Sequence, residues 1–349
     1  MRVLMVGLGG IGQRHVRNLR SLMGSEVEIM AYRVRRDSRV LTDQLRIEEG
    51  SRLEEKYSIR VHADLDEALG LRPDAVFVCN PSSLHVPIAL RAAQAGCHLF
   101  VEKPLSHNWE QVEELIGLVE GRHIRAVVGY QMRFHPCLQR LCSLLQERRV
   151  GQILAVRAEV GEYLPDWHSY EDYRQMYASK RELGGGVILS QIHEFDYVYW
   201  LWGLPKRVFA LGGHLSSLEI DVEDSVDTLM ECLVAGHPVP VSLHQDYVQR
   251  PSSRTCVVVG DAGKILVDLR ALTVDVFDES GNHVEAVSYE GFQRNQMFLD
   301  ELRHFLECLQ GKQTPLVTMR DGAQSLRMAL AAKESLTTGS VVELTRNLT

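Results

Sequence analysis

Lys103 and His193 are the residues of this 349-residue chain whose types suit charge and proton transfer to a small molecule. A lysine ammonium can donate to a substrate hydroxyl and stabilise the negative charge that develops as its proton leaves. A histidine, whose ordinary pKa lies near neutrality, can accept that proton. A third feature is the pattern GxGxxG at Gly7, Gly9 and Gly12. A side chain there would obstruct a tight turn, the approach of a pyrophosphate to the backbone, and close packing of helix on strand. Each feature has an ordinary counterpart. The lysine could be a solvated surface residue, the histidine a core residue hydrogen-bonded to Asp196 one turn later, and the glycines a plain turn.

The elements that hold these residues bear on the choice. From residue 1 to about 125, short apolar runs ("RVLMVG", "VEIMAY", "DAVFVCN", "CHLFVEK", "RAVVGY") alternate with amphipathic stretches, which predicts a doubly wound parallel sheet with helices on both faces. The glycines lie between the first strand and the helix "IGQRHVRNLRSLMG", so that helix would aim its N-terminus at phosphates. Glu102 and Lys103 end a predicted strand, and open sheets of this kind take ligands in the crevice outside such ends. After a helix near 136–149 the pattern changes to strands joined by tight turns, a largely antiparallel sheet, and two helices follow at about 294–310 and 320–338. The expected fold is an α/β dinucleotide-binding domain over 1–125, followed by an α+β domain with a large, mainly antiparallel sheet over 126–349.

Three further stretches carry alternatives. Arg33 stands at the end of the second strand, with Arg35 and Arg36 beyond. A guanidinium there suits the 2'-phosphate of NADP, where an acid would read the 2'-hydroxyl of NAD; a solvated basic loop is the other reading. "GGGVILSQIHEFDYVYWLWG" (184–203) predicts one helix, with Ile188, Ile192, Phe195, Tyr199 and Trp202 on an apolar stripe. Ser190, His193, Glu194 and Tyr197 fall on another face, which could line a cleft. "GEYLPDWHSYEDYR" (161–174) mixes aromatic rings, which stack on sugar C–H faces, with acids that bind hydroxyls; a packed surface loop has the same composition.

Composition excludes other classes. A net charge of −8, from 46 acidic and 38 basic side chains mixed along the chain, argues against nucleic-acid or polybasic membrane binding. Seven scattered cysteines without a CxxC suggest neither a disulfide framework nor a zinc site. HExxH is absent, so no metal is expected, and the chain has no signal peptide or eighteen-residue apolar run, so a cytoplasmic location is expected.

GxGxxG at 7–12, "CNPSSLHVPIALRAAQAGCHLFVEKPLS" (79–106), "GYQMRFHP" (129–136) and the 184–203 stretch together resemble the Gfo/Idh/MocA family of NAD(P)-dependent oxidoreductases, nearly end to end. The resemblance implies a Rossmann domain followed by a mainly antiparallel domain, with a nicotinamide and a sugar or polyol meeting between them. It implies hydride transfer to or from a secondary hydroxyl, with Lys103 polarising the oxygen and His193 shuttling the proton. Redox-neutral sugar modification with tightly held cofactor, and a non-catalytic NAD(P)- or sugar-binding regulator, are the alternatives. Dinucleotide contacts fall to Gly7, Gly9, Gly10, Ile11, Gly12, Arg33, Asn80, Pro81, His85, Glu102 and Lys103. Sugar contacts fall to Arg133, Trp167, His168, Ser190, Glu194 and Tyr197, with a structural salt bridge as the other reading of Arg133. Association as a homodimer or homotetramer through the open face of the second sheet is also implied. The chain departs from the family at Ser190, where an aspartate is usual. A serine cannot act as a carboxylate base or stabilise an imidazolium, so Lys103 and His193 must carry more of the chemistry, helped by Glu194 or Asp196.

Overall fold

The computed structural model describes residues 1–34 and 38–344. The first half contains β1 (Arg2–Val6), α1 (Gly10–Met23), β2 (Glu28–Tyr32), a separate hairpin of β3 (Arg39–Leu41) and β4 (Ile47–Arg52), α2 (Leu53–Lys56), β5 (Ile59–His62), α3 (Leu65–Gly70), β6 (Ala75–Val78), α4 (His85–Gln94), β7 (His98–Glu102), α5 (Val112–Gly121) and β8 (Ala126–Gly129). Six of these strands form one parallel sheet in the order β5-β2-β1-β6-β7-β8. Residues 3–6, 75–78 and 126–129 are buried without interruption, as expected of parallel strands covered on both faces. Strand order reverses between β1 and β6, and the carboxyl ends of those two strands open the crevice where such sheets take ligands.

β8 pairs with β7 from Leu99↔Ala126 to Glu102↔Gly129, so the parallel sheet runs past the boundary expected at 125. The first core is not closed by the first half alone. After α6 (Pro136–Gln146), β9 (Ile153–Gly161), α7 (Val187–Ser190), α8 (His193–Trp202), β10 (Arg207–Gly213), β11 (Ser225–Val234), β12 (His237–Asp246), β13 (Ser253–Gly260), β14 (Gly263–Asp268), β15 (Thr273–Asp278) and β16 (His283–Ser288), the helix α9 (Asn295–Leu309) returns to it. Leu302 and Phe305 of α9 join the Val3, Phe77 and Phe100 cluster, with the Phe305 ring edge-on to both phenylalanines at 5.5 Å. The chain ends in α10 (Met319–Thr338) and β17 (Val342–Glu343). A capping box starts α10: Thr318 Oγ1 accepts from the Asp321 N–H at 3.1 Å, and Asp321 Oδ2 accepts from the Thr318 N–H at 2.8 Å.

The second sheet has nine strands in the order β16-β15-β14-β13-β9-β12-β11-β10-β17, antiparallel except where β9 meets β12. Burial alternates along β11, with Val226, Thr228, Met230 and Cys232 inward, as in a sheet covered on one face. α7, α8 and α10 lie on that inner face. The 184–203 stretch is not one helix. It breaks between α7 and α8 at Gln191 and Ile192, where the Gln191 carbonyl accepts from Gln245 Nε2 at 2.9 Å. Nor does it divide into a packing face and a cleft face, since residues 185–198 are buried throughout.

Candidate active site

The glycine turn between β1 and α1 assigns a different job to each glycine. Gly7 has φ +95°, and a Cβ on it would stand 2.7 Å from the Cys79 carbonyl. A Cβ on Gly12 would run into the Gly7 carbonyl oxygen. Around Gly9 a Cβ would meet nothing within 4 Å, which leaves open space beside the N-terminus of α1. Two glycines therefore allow close packing and the middle one leaves room for a group that must approach the backbone, the fit a dinucleotide pyrophosphate needs. Gly10 faces the Leu45 side chain and the Tyr170 hydroxyl, and Ile11 packs against the first core. Across the crevice, Asn80 Oδ1 at the end of β6 is a buried acceptor with no donor among the described residues.

Pro81 leads into a short turn, Ser82–Leu84, whose Ser82 hydroxyl donates to the Leu183 and Gly184 carbonyls of the second half. His85 was expected at the dinucleotide. Instead its Nδ1 lies 2.8 Å from the Pro104 carbonyl and its Nε2 2.8 Å from the Asn80 carbonyl, so it ties two strand ends together. Burial lowers its pKa. Arg33 also has a partner: its side chain is 8 % exposed and its Nη1 pairs with Glu54 Oε1 at 2.6 Å. Arg35 and Arg36 lie outside the described residues. Glu102 Oε1 lies 2.6 Å from His15 Nε2, and Glu102 Oε2 accepts from the Lys103 N–H at 3.2 Å.

Lys103, just past β7, reaches across to the second half, where its ammonium donates to the Ser190 carbonyl at 2.7 Å. That carbonyl is the last of α7, and carbonyls at a helix end lack intrahelical partners. Three residues on, His193 opens α8. It is 5 % exposed; its Nε2 lies 3.1 Å from the Gln131 side-chain amide, and its Nδ1 has no partner among the described residues. Burial, followed by the charges of Lys103, Arg254 and Arg294, holds its pKa well below the ordinary value, so the imidazole is neutral. Gln131 Nε2 faces His193 Nε2 and donates to it, so in the neutral ring Nε2 holds the lone pair and Nδ1 carries the proton.

Asp196 and Glu194 do not assist His193. Asp196 holds Arg133 in a bidentate pair, 2.9 Å to Nε and 2.8 Å to Nη2, and accepts from Ser325 Oγ at 3.0 Å. Glu194 does the same with Arg254 at 2.7 and 3.0 Å. Both carboxylates are fully buried, and removing one partner of such a pair costs about 3–5 kcal/mol. Arg133 and Glu194 are thus each held in a buried ion pair. Tyr197 is fully buried near Glu194 and Cys256, a core position. Trp167 packs edge-on against Tyr247 at 5.3 Å, and His168 stacks on Tyr170 with its Nδ1 2.6 Å from Glu171 Oε1. Through Tyr170 the 168–171 segment lies against the glycine turn, so this part of the expected sugar loop sits at the dinucleotide end. Gln131, Arg254 and Arg294 were not anticipated. Gln131 lies within the quoted "GYQMRFHP", but nothing in its spacing singled it out over Arg133.

Comparison with known proteins adds to this geometry. Residues 1–130 match the description "Oxidoreductase family, NAD-binding Rossmann fold", and residues 138–266 match the "GFO/IDH/MocA C-terminal domain". The chain is 28 % identical over 344 residues to myo-inositol 2-dehydrogenase of Thermotoga maritima, covering 96 % of each chain. It is 24 % identical over 354 residues to scyllo-inositol 2-dehydrogenase (NAD(+)) of Bacillus subtilis, covering 99 % of this chain and 96 % of that one. Its fold superposes with a TM-score of 0.79 on the WlbA dehydrogenase of Bordetella pertussis, solved in complex with NADH and UDP-GlcNAcA, at 22 % identity over 99 % of each chain. A nucleotide-shaped turn of glycines, a parallel sheet reversing beside it and two matched domains lead to one assignment: the chain belongs to the GFO/IDH/MocA family of oxidoreductases.

Proposed function

We propose that this protein is a nicotinamide-dependent dehydrogenase that oxidises a secondary hydroxyl of a sugar or polyol, or reduces the matching ketone. One observation carries the reading. Lys103 from the parallel sheet and His193 from α8 converge through the Ser190 carbonyl, at the carboxyl end of β7 and on the same sheet edge as the glycine turn. When bound, the nicotinamide supplies the hydride acceptor or donor. The His193 imidazole takes the hydroxyl proton in oxidation on the nitrogen that holds its lone pair, and the Lys103 ammonium donates to the same oxygen and stabilises its developing charge. Gln131 orients the imidazole in place of the carboxylate that Ser190 lacks. The inositol dehydrogenase relatives support the substrate class.

His193→Asn tests this. It should reduce the chemical step by roughly two to four orders of magnitude while dinucleotide binding stays close to wild type. Melting temperature and pre-steady-state hydride transfer are measured on the same preparations. A destabilised variant whose folded fraction transfers hydride at the normal rate would make His193 a core residue only.

For the cofactor, the pairing of Arg33 with Glu54 favours NAD over NADP, because the guanidinium that would meet a 2'-phosphate already has its counter-charge. For assembly, we propose a homo-oligomer formed through the outer face of the nine-stranded sheet. Phe209 and Leu229 stand directly opposite each other there, beside exposed Leu211 and near Pro240. Seven unpaired cysteines fit a reducing cytosol, and among the described residues no helix is long and apolar enough to cross a membrane.

A further inference from the structure

His15 sits where packing alone would favour a phenylalanine. It is fully buried on α1 among aromatic rings, 4.8 Å from Phe100, 5.6 Å from Phe77 and 6.5 Å from Phe298. Burying an imidazole in such surroundings costs free energy wherever its nitrogens lack partners, and Nδ1 has none among the described residues. The other nitrogen makes one close contact, 2.6 Å from Nε2 to Glu102 Oε1. Glu102 is itself 5 % exposed, and Gly129 leaves the room for its carboxyl group: a Cβ on Gly129 would stand 3.3 Å from Glu102 Cδ and 3.2 Å from Phe100 Cε1. A polar pair kept in an aromatic layer against the demands of packing points to a job other than stability.

Where the pair leads identifies that job. Lys103 is one residue past the last pair of the β7–β8 ladder, Glu102↔Gly129, and its backbone N–H donates to Glu102 Oε2 at 3.2 Å. Beyond the lysine, His85 Nδ1 lies 2.8 Å from the Pro104 carbonyl. The backbone is thus held on both sides of a residue whose flexible four-carbon stem would otherwise let its ammonium wander from the Ser190 carbonyl. Such control matters, because misplacing a catalytic group by about 1 Å can cost on the order of a hundredfold in rate. His15 belongs to the second turn of α1, the helix that starts at Gly10 beside the glycine turn. We propose that His15 and Glu102 are positioning residues that fix the backbone of Lys103, joining the helix that faces the dinucleotide to the lysine that faces the hydroxyl. This inference rests on the dehydrogenase reading above and adds to its site two residues that act through Lys103.

The test needs no substrate. The full chain is treated with acetic anhydride, and acylation of Lys103 is timed by peptide mass spectrometry against that of Lys264, an exposed residue of the nine-stranded sheet. NADH affinity and melting temperature are measured on the same preparations. His15→Phe keeps the ring packing and removes the hydrogen-bond donor, so Lys103 should acylate about threefold or more faster while Lys264 is unchanged and NADH affinity stays within about twofold. His15→Gln, which can still donate to Glu102, should restore most of the wild-type protection. Gly129→Ala leaves both partners in place and crowds the carboxyl group, so it should also speed acylation of Lys103, and it decides the matter if His15→Phe does not fold. The proposal is overturned if the folded variants melt lower but acylate Lys103 at the wild-type rate, which would make the pair structural only. It is equally overturned if they lose NADH affinity with Lys103 unchanged, which would make Glu102 a dinucleotide contact. Either result removes the positioning role alone, whereas the dehydrogenase reading stands or falls on His193→Asn.

Discussion

His193 is held neutral by what surrounds it, and that fixes how the protein responds to acid. Burial and three neighbouring cations lower its pKa well below 6.5, so it stays a competent base as pH falls through the value at which an ordinary histidine is half protonated. The acid limb of kcat/KM for oxidation should therefore lie below pH 6.5. Stability moves the other way from a salt-bridged histidine. The unfolded chain takes up this proton near 6.5 and the folded chain does not, so the contribution is whole above that pH and is lost as pH falls below it. His193→Asn should remove that part of the slope in chemical denaturation, leaving the parts due to His85 and to His135, whose pKa burial lowers to about 4. Glu54 makes a second prediction at this scale: Glu54→Gln should free Arg33 and raise affinity for NADP relative to NAD by about tenfold, read by calorimetric titration with both dinucleotides. The chemical candidates were legible because residue type and position at a strand end limit what a lysine or histidine can do. Their partners were not. Asp196 lies one turn from His193 in sequence yet turns to Arg133, while Gln131, 62 residues from His193, faces the ring. Which of two polar neighbours answers a buried group depends on packing between distant segments, and spacing carries no record of that.

The turn from β1 into α1 separates two kinds of glycine, and substitution should show the difference. Gly9→Ala adds a methyl group into open space, so the fold should be untouched and dinucleotide affinity should drop about tenfold. Gly12→Val drives a branched side chain against the Gly7 carbonyl, so it should lower stability by about 1–3 kcal/mol even without ligand. Thermal melting of the apo proteins with calorimetric titration of NADH distinguishes them; equal melting temperatures would contradict the packing role of Gly12. Parallel strands were readable as unbroken apolar runs, and the closing helices fall at Asn295–Leu309 and Met319–Thr338 where apolar spacing put them. The break at Gln191 was not readable. Every residue around it is compatible with a helix, and the interruption comes from the Gln191 carbonyl being taken by Gln245 of β12, a contact made only once the sheet has formed. That break matters, because it ends α7 where its last carbonyl can receive Lys103.

The nine-stranded sheet is covered by helices on one side, and the other side presents Leu211 and Leu229 at 62 % and 55 % exposure. Leu229→Arg places a charge at the centre of that patch and should shift the assembly toward monomer without unfolding it, as read by analytical ultracentrifugation and circular dichroism. A wild type that is already monomeric would remove the assembly proposal. The return of α9 onto Phe77 and Phe100 has a consequence of another kind, for synthesis of the chain. The sixth strand of the parallel sheet ends at Gly129, but the ring that seals its core is supplied by Phe305. A ribosome adding about 5–20 residues per second needs roughly ten to forty seconds to cover the intervening stretch and bring α9 out of its exit tunnel. Throughout that interval the nascent first half carries an uncapped apolar surface, so the most aggregation-prone form of this protein is the one still attached to its message.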